Sequence, residues 1–549
     1  MSLSIFSRQK SAILVHKWAV VFLAAGITVG ASGIFAVGEH HVLGQLGLAG
    51  TTKAPIAASP PQPYCFPPFG GAFKSKNHTL APIPYCIGVG HFSPILSLHN
   101  PVNTSEYHCA KPQTPPGNTT APYGPCIDPG DTTFMYAAAS FVMIMTPGGV
   151  GFLYGGMTRR KNALTVILQN FLVYAIVSVQ WVVFGYSLMF GPDSGFGPGF
   201  IGNFAWVGLN NVFHNAPADV YAPSIPHLAY VMFQLMFAAI TPALAIAGYA
   251  DRLKMSAFLI FTVLWSTFVY DFAGHWNWSL GSMGTHPGWL NAMGAEDFAG
   301  GTVIHITSGF AGLVTAMFLG RRLGYGKAPF EPHSIPLVIL GTTLLWYGWF
   351  GFNPGSAGFA GFLETQAFQN TNIATAVAAI WWMFLSWAHT GKTSAVGAVS
   401  GAVAGLVAIT PASGYIGTYA SIIMGFACAT VCFYCLILKN RRRIDDALDT
   451  WAVHGMGGVC GALVTGLFSE TRINPAANNG AFFGNPNQLL VNAIGAASAV
   501  AWSFGITYLI WRIMDAIWPG GVRVTPREEE IGLDIAQVGE RAYSSEFAG

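Results

Sequence analysis

Charge is what this chain has least of. Asp, Glu, Lys and Arg make up 9% of its 549 residues, against about 25% in soluble domains. So few charges cannot clothe a water-facing surface. That excludes an ordinary soluble globular protein and places most of the outer surface in lipid. The net charge is only +2, so nothing here would hold a polyanion, and nucleic acid is excluded as a partner. Catalytic patterns are lacking too. No HExxH occurs, no Ser/His/Asp constellation stands out, and two histidines without a third ligand make a poor metal site. The chain reads as a non-enzyme with no cofactor and no metal.

Apolar, aromatic and small residues are abundant instead. Aromatics reach 14%, and there are 66 glycines. This suits packed transmembrane helices with Trp and Tyr at the interfaces. Residues 1–17 carry Arg8, Lys10 and Lys17, and an apolar run follows from Trp18 to Val37. Residues 1–37 therefore read as a signal peptide or a signal anchor. Residues 38–130 differ in kind: 16 of the 33 prolines fall there. Three N-glycosylation patterns, at Asn77, Asn103 and Asn118, fall there too. Cys65, Cys86, Cys109 and Cys126 in this stretch suit two disulfides in an extracytoplasmic segment. Three pairings are open, and a four-cysteine zinc site is the rival, though no CxxC occurs there. Cys428, Cys432, Cys435 and Cys460 lie in apolar runs and read as packing.

From Asp131 onward eleven apolar segments recur, at roughly 132–157, 163–190, 226–250, 255–275, 299–320, 335–355, 370–390, 394–412, 415–438, 451–470 and 488–511. Each is long enough to cross a hydrocarbon core of about 30 Å. Backbone groups cannot stay unpaired in lipid, so each is read as a helix. Alternate loops hold 13 basic residues, including Arg159, Arg160, Lys161, Arg252, Arg321, Arg322 and Arg441 to Arg443. The opposite loops hold Arg472 alone. The first set is read as cytoplasmic. Residues 38–130 then lie outside, and a tail, 513–549, lies inside. The reading is thus an all-α polytopic bundle over 131–512 in the plasma membrane.

An internal echo runs through the bundle. His305 is followed by Gly309 and Gly312, and His454 by Gly458 and Gly461. Asp297 and Asp446 each stand eight residues earlier. The histidines sit on segments five crossings apart, so the halves form an inverted repeat, helices 1–5 against 6–10. Such repeats place a pathway at their interface. Ionisable groups inside a membrane are expensive and are read first as functional. A histidine pair there is suited to orienting a small polar solute or relaying a proton. Asp297 reads as a helix N-cap before a cation-attracting group. Phe237, Trp278 and Phe352 belong to an aromatic cluster toward the outer ends of their segments. It fits either cation–π capture or an interfacial belt. Gly397, Gly401 and Gly405 read as helix packing.

Taken together, these residues resemble the Amt/MEP/Rh ammonium transporter family. The resemblance rests on Asp297-Phe-Ala-Gly-Gly-Thr-Val-Ile-His305, Thr146-Pro-Gly with Tyr154-Gly-Gly, and Trp349-Phe-Gly-Phe-Asn353. Thr410-Pro-Ala, Val453-His454-Gly455 and Glu528-Glu-Glu-Ile-Gly-Leu-Asp534 add to it. It runs from about Asp131 to Tyr543 and implies an eleven-helix bundle assembled as a homotrimer in the lipid bilayer. It implies an ammonium-recruitment site at Phe237, Trp278 and Ser356, a phenyl gate of Phe237 and Phe352, and a twin-histidine pore of His305 and His454. Asp297 is the acidic residue near the site. Trp278 is similar to the Amt and MEP branch rather than the Rh branch. The tail resembles ends that communicate with PII-type regulators in prokaryotic relatives. The expected function is transport of ammonium or ammonia. The alternatives are an ammonium sensor acting through a partner and an Rh-like neutral gas channel. Pro354 departs from the pattern, which usually has a small residue there.

Overall fold

The computed structural model describes residues 127–212, 217, 218, 220–327 and 330–543. The expected signal segment and Cys65, Cys86, Cys109 and Cys126 lie outside the described residues. Among the described residues, ten helices are long and apolar enough to cross a membrane. They are α1 (Pro129–Met157), α2 (Arg160–Phe190), α3 (His227–Gly248), α4 (Met255–Trp278), α5 (Gly301–Leu319), α6 (Ile335–Gly355), α7 (Phe362–Thr390), α9 (Thr418–Arg441), α10 (Trp451–Phe468) and α11 (Pro486–Ile517). Between α7 and α9 lies α8 (Ala395–Ile409), with 15 residues. At 1.5 Å per residue it reaches about 22 Å, short of a full crossing. The protein is a multi-pass membrane protein with a helical bundle fold. The eleven expected segments become ten full-length helices and one short one.

The departures have local causes. Helix α8 stops before Thr410-Pro411, because proline cannot continue a helical hydrogen-bond ladder. Helix α7 starts at Phe362 rather than 370, because its polar first turns are held. Asn370 Nδ2 donates to the carbonyls of Ser413 and Ile416 at 2.9 and 2.7 Å. Helix α6 runs through Pro354 to Gly355, so the unusual proline sits within its last turn.

Burial sorts the helices. The most apolar stretch of α3 is 94% buried, that of α11 only 33%. Helix α3 is therefore central, and α11 presents much of its surface outward from the bundle. Small residues permit close crossings. A Cβ on Gly309 would lie 2.1 Å from the Gly455 nitrogen, so α5 and α10 meet backbone to backbone. Gly401 and Gly405 do the same for α8 against α7, where a Cβ would come within 2.6 and 2.8 Å of the Ala378 and Ala374 carbonyl oxygens. The apolar-run cysteines are packing groups: Cys428 and Cys432 are buried, and Cys428 Sγ lies 2.7 Å from Cys460 Sγ.

The arginine-rich loops share one face, here called the basic face. Arg159 pairs with Asp251 at 2.9 Å, Arg322 with Asp445 at 2.7 Å, and Arg252 with Asp445 at 3.5 Å. Residues after α11 fold back over this face through α12 (Pro526–Ile531), which opens with a Thr525–Glu528 capping box. Glu529 accepts from the Leu323 N–H, and the Asp534 carboxylate accepts from the Leu164 and Thr165 N–H groups at the start of α2.

Candidate functional site

At the face opposite the basic one, a cavity of about 90 Å³ opens among α3, α4, α6 and the turns before α5 and α9. Phe237, Trp278, Ser356 and Asp297 all line it. The sequence-predicted recruitment residues are thus brought together, although they come from three helices and a turn. The Trp278 indole stands perpendicular to the Phe237 ring, with centroids 6.1 Å apart. It is fixed by donating its Nε1–H to the Asp297 carbonyl at 2.8 Å. Ser356 donates its hydroxyl back to the Phe352 carbonyl at 3.0 Å, one helical turn earlier. Its oxygen lone pairs stay available to a donor in the cavity.

Below the cavity, Phe237 and Phe352 close the way. Their centroids are 4.2 Å apart and the rings are tilted by 42°. The two rings of the expected gate therefore lean on each other rather than lie parallel. Both rings are almost completely buried. Beneath them the His305 ring lies nearly parallel to Phe352, with centroids 6.3 Å apart, and to Trp349 at 5.5 Å. His305 and His454 approach Nδ1 to Nδ1 at 3.2 Å, close enough for one nitrogen to donate to the other. That leaves His305 Nε2 buried with no hydrogen-bond partner among the described residues, free for a solute.

Two local devices aim these rings. Each histidine lies in a π-helical turn, His305 in Gly301–Ile306 and His454 in Trp451–Gly455. Such wide turns are uncommon and gather at functional sites. The first is capped by Asp297, whose carboxylate accepts four N–H bonds, from Gly300, Gly301, Thr302 and Val303, at 2.7 to 3.0 Å. Asp297 thus caps the turn from three residues before Gly300, which holds the N-cap position itself, and Asp297 is also among the residues lining the cavity. Gly300 has φ +116°, a conformation open mainly to glycine, which lets the chain turn from the cap into the helix.

Sequence reasoning missed several lining residues. Tyr221, Tyr230, Gln234, Asn277 and Tyr415 also face the cavity, and Gln234 Oε1 is buried without a partner. Gln234 stands beside Phe233 in a helical run where a lone amide could have drawn attention. Tyr221 and Tyr415 sit in loops with no periodicity to expose them. Among the described residues no cluster of three or more His, Cys, Asp or Glu could hold a metal ion.

Residues 133–543 match the model of the Ammonium Transporter Family. The ammonium transporter of Bacillus subtilis is 43% identical over 415 residues, 75% of this chain and 98% of the relative. Ammonium transporter Amt1 of Archaeoglobus fulgidus is 41% identical over 415 residues, 76% of this chain and 99% of the relative. The crystal structure of Saccharomyces cerevisiae Mep2 superimposes with a TM-score of 0.70 at 35% identity, covering 77% of this chain and 93% of that one. A structure described as a sensor Amt protein matches with a TM-score of 0.66 at 27% identity, over 74% and 98%. A helical bundle of this shape, with a family match running almost from the start of α1 to the end of the described tail, makes the chain a member of the ammonium transporter family, on its Amt/MEP side.

Proposed function

We propose that ammonium is captured in the cavity, loses a proton there, and passes as ammonia along the His305–His454 line. One observation carries the proposal: cavity, aromatic pair and histidines form a continuous series, with ring centroids 4.2, 6.3 and 5.3 Å apart in turn. Each station has a physical task. At the cavity the cation exchanges water for the faces of Trp278 and Phe237, an attraction worth up to about 2 kcal/mol when dry. Ser356 accepts one of its N–H groups. The carboxylate of Asp297, held by four N–H bonds, supplies negative potential from the wall.

Capture alone separates ammonium poorly from potassium, which has the same charge and a similar size. The dry gate makes the separation. A charge without its hydration is heavily penalised in an apolar passage. A solute that sheds a proton avoids that penalty, and potassium cannot. Past the gate, ammonia needs a donor and an acceptor, and the fixed imidazole pair offers both. We further propose that the proton crosses as well, passed through the hydrogen-bonded His305–His454 pair while ammonia crosses as the neutral molecule, so that transport is electrogenic. The basic face then lies in the cytoplasm of a plasma membrane protein, with residues 38–130 outside and the tail 513–549 inside. A homotrimer and a PII-type contact at the basic face complete this reading. A second reading, an ammonium sensor working through a partner, draws on the likeness to the sensor Amt protein.

The test is current through planar bilayers holding the purified protein. An ammonium pulse should move charge. An ammonium flux without charge movement would overturn the electrogenic version in favour of a neutral channel. Replacing His305 and His454 together by Leu should lower selective uptake roughly a hundredfold or more. Undiminished, selective uptake would sink the histidine line.

A further inference from the structure

Glu296 stands beside the cavity without entering it. Its neighbours on either side in the chain, Ala295 and Asp297, line the cavity wall. Its own side chain turns away, into the loop that follows α10. Only 6% of it is exposed. Oε1 accepts the Asn478 N–H at 2.6 Å. Oε2 makes no well-formed hydrogen bond, and neither does the buried Ser469 hydroxyl beside it or Nδ2 of Asn474 on the same loop. The backbone of Glu296 is gripped by Asn492 of α11, which accepts its N–H at 3.1 Å and reaches its carbonyl at 3.4 Å. The next residue, Asp297, holds the Trp278 indole and caps α5. Glu296 is thus mechanically joined to the cation site.

The charges around it are few. Asp297 lies on its own turn. Tyr415 comes from the turn before α9. The loop after α10 carries Glu470 and Arg472, which pair with each other at 2.6 Å. Helix α11 brings only the amides of Gln488 and Asn492. Among the described residues no cation is left over to offset the burial of Glu296, which holds its carboxyl far above the usual carboxylate range. Burial pushes the group up to about 8, against the hydrogen bond from the Asn478 N–H and the pull of the nearby Ser469 hydroxyl. Its charge would be felt at the cavity wall. After burial, Glu296 is the strongest influence raising the Tyr415 phenol, ahead of Asp297.

We infer that Glu296 is a positioning residue for the cation site: neutral, it props the Asp297 turn, and ionised, it adds a negative charge that tightens cation capture. This rests on the reading of the cavity as the recruitment site. The full chain is expressed in cells lacking other ammonium uptake, and the KM and maximal rate for methylammonium are measured from mildly acidic to mildly alkaline medium. E296Q keeps an acceptor for Asn478 and cannot ionise. At each pH it is compared with the wild type, so the substrate's own titration cancels. The KM ratio of E296Q to wild type should be near one in acid and rise to about threefold in alkali, the order expected of one added charge near a partly screened site. Maximal rates should change little. A ratio that stays flat across the range would overturn the inference.

If E296Q does not reach the membrane, E296D serves, because it keeps a titrating group at a different depth. The break in its KM profile should move relative to wild type, and an unmoved profile would overturn the inference. The two readings fail separately. A wild type with no saturable uptake overturns the recruitment site and this role together. A transporting wild type with a flat ratio overturns only Glu296.

Discussion

Glu296-Asp297 and Asp445-Asp446 occupy matching places in the two halves, nine and eight residues before a buried histidine. Their surroundings differ. Asp445 lies between two guanidiniums, with bonds from Arg322 at 2.7 to 3.1 Å and Arg252 at 3.5 Å. Burial alone would raise it, but these cations hold it below the usual carboxylate range. Glu296, equally buried, has no cation beside it among the described residues. Asp297 accepts four N–H bonds at the head of α5. Asp446 accepts one of comparable geometry, from Trp451 at 2.8 Å, and its Oδ1 has no partner. The inverted repeat has kept the acid pair and changed what it does. At the basic face the pair fastens loops together. At the other face it builds one cap and one carboxyl whose charge is set by pH.

The largest expected contrast lies between the first acids. D445N should destabilise the fold by about 3–5 kcal/mol, because it strands buried arginines. E296Q should cost nothing at neutral pH and should tend to stabilise, since it resembles the protonated form and cannot ionise in the unfolded chain. Thermal unfolding of the purified variants measures both. Their pH slopes should also oppose. Glu296 is raised in the fold, so its stabilisation is full below its unfolded value and fades as pH rises through about 8. Asp445 is lowered, so its stabilisation is full above its unfolded value and fades as pH falls through the folded one. E296Q should remove the first slope and D445N the second. Equal costs for the two variants would erase the contrast.

The second acids should differ by less. D297N puts an NH2 group against backbone N–H donors and should cost about 2–4 kcal/mol. D446N can keep its oxygen on Trp451 and should cost about 1 kcal/mol. The glycines give the smallest contrast. G309A drives a methyl into the Gly455 backbone and should cost about 2–3 kcal/mol. In G455A the nearest atom is the Trp451 Cδ1 at 3.2 Å, so a cost under about 1 kcal/mol is expected. If G455A proved the costlier, the α5–α10 crossing would be misplaced.

Much of this was legible beforehand. Apolar runs located α1 to α11 because lipid forces each crossing to satisfy its own backbone. His305, His454, Asp297, Trp278, Phe237, Phe352 and Ser356 were legible through short signatures. The ends were less so. Polar residues at the start of α7 look like loop until Asn370 finds carbonyls more than 40 positions away. The π-helical turns leave no periodic trace, and Tyr221 and Tyr415 reach the cavity from irregular loops. Glu296 reads as an ordinary acid, since its missing cation depends on Arg472 being already engaged.

The tail raises a matter of timing. The N–H groups of Leu164 and Thr165, in the first turns of α2, are capped by Asp534, some 370 positions later. Asn162, just before them, receives the Leu533 N–H. A ribosome delivers the second crossing early and its cap almost last. Until then α2 must rest on lipid, water and its neighbours, with its first turns frayed. A chain cut short before Asp534 would keep every transmembrane segment and still never finish its second helix.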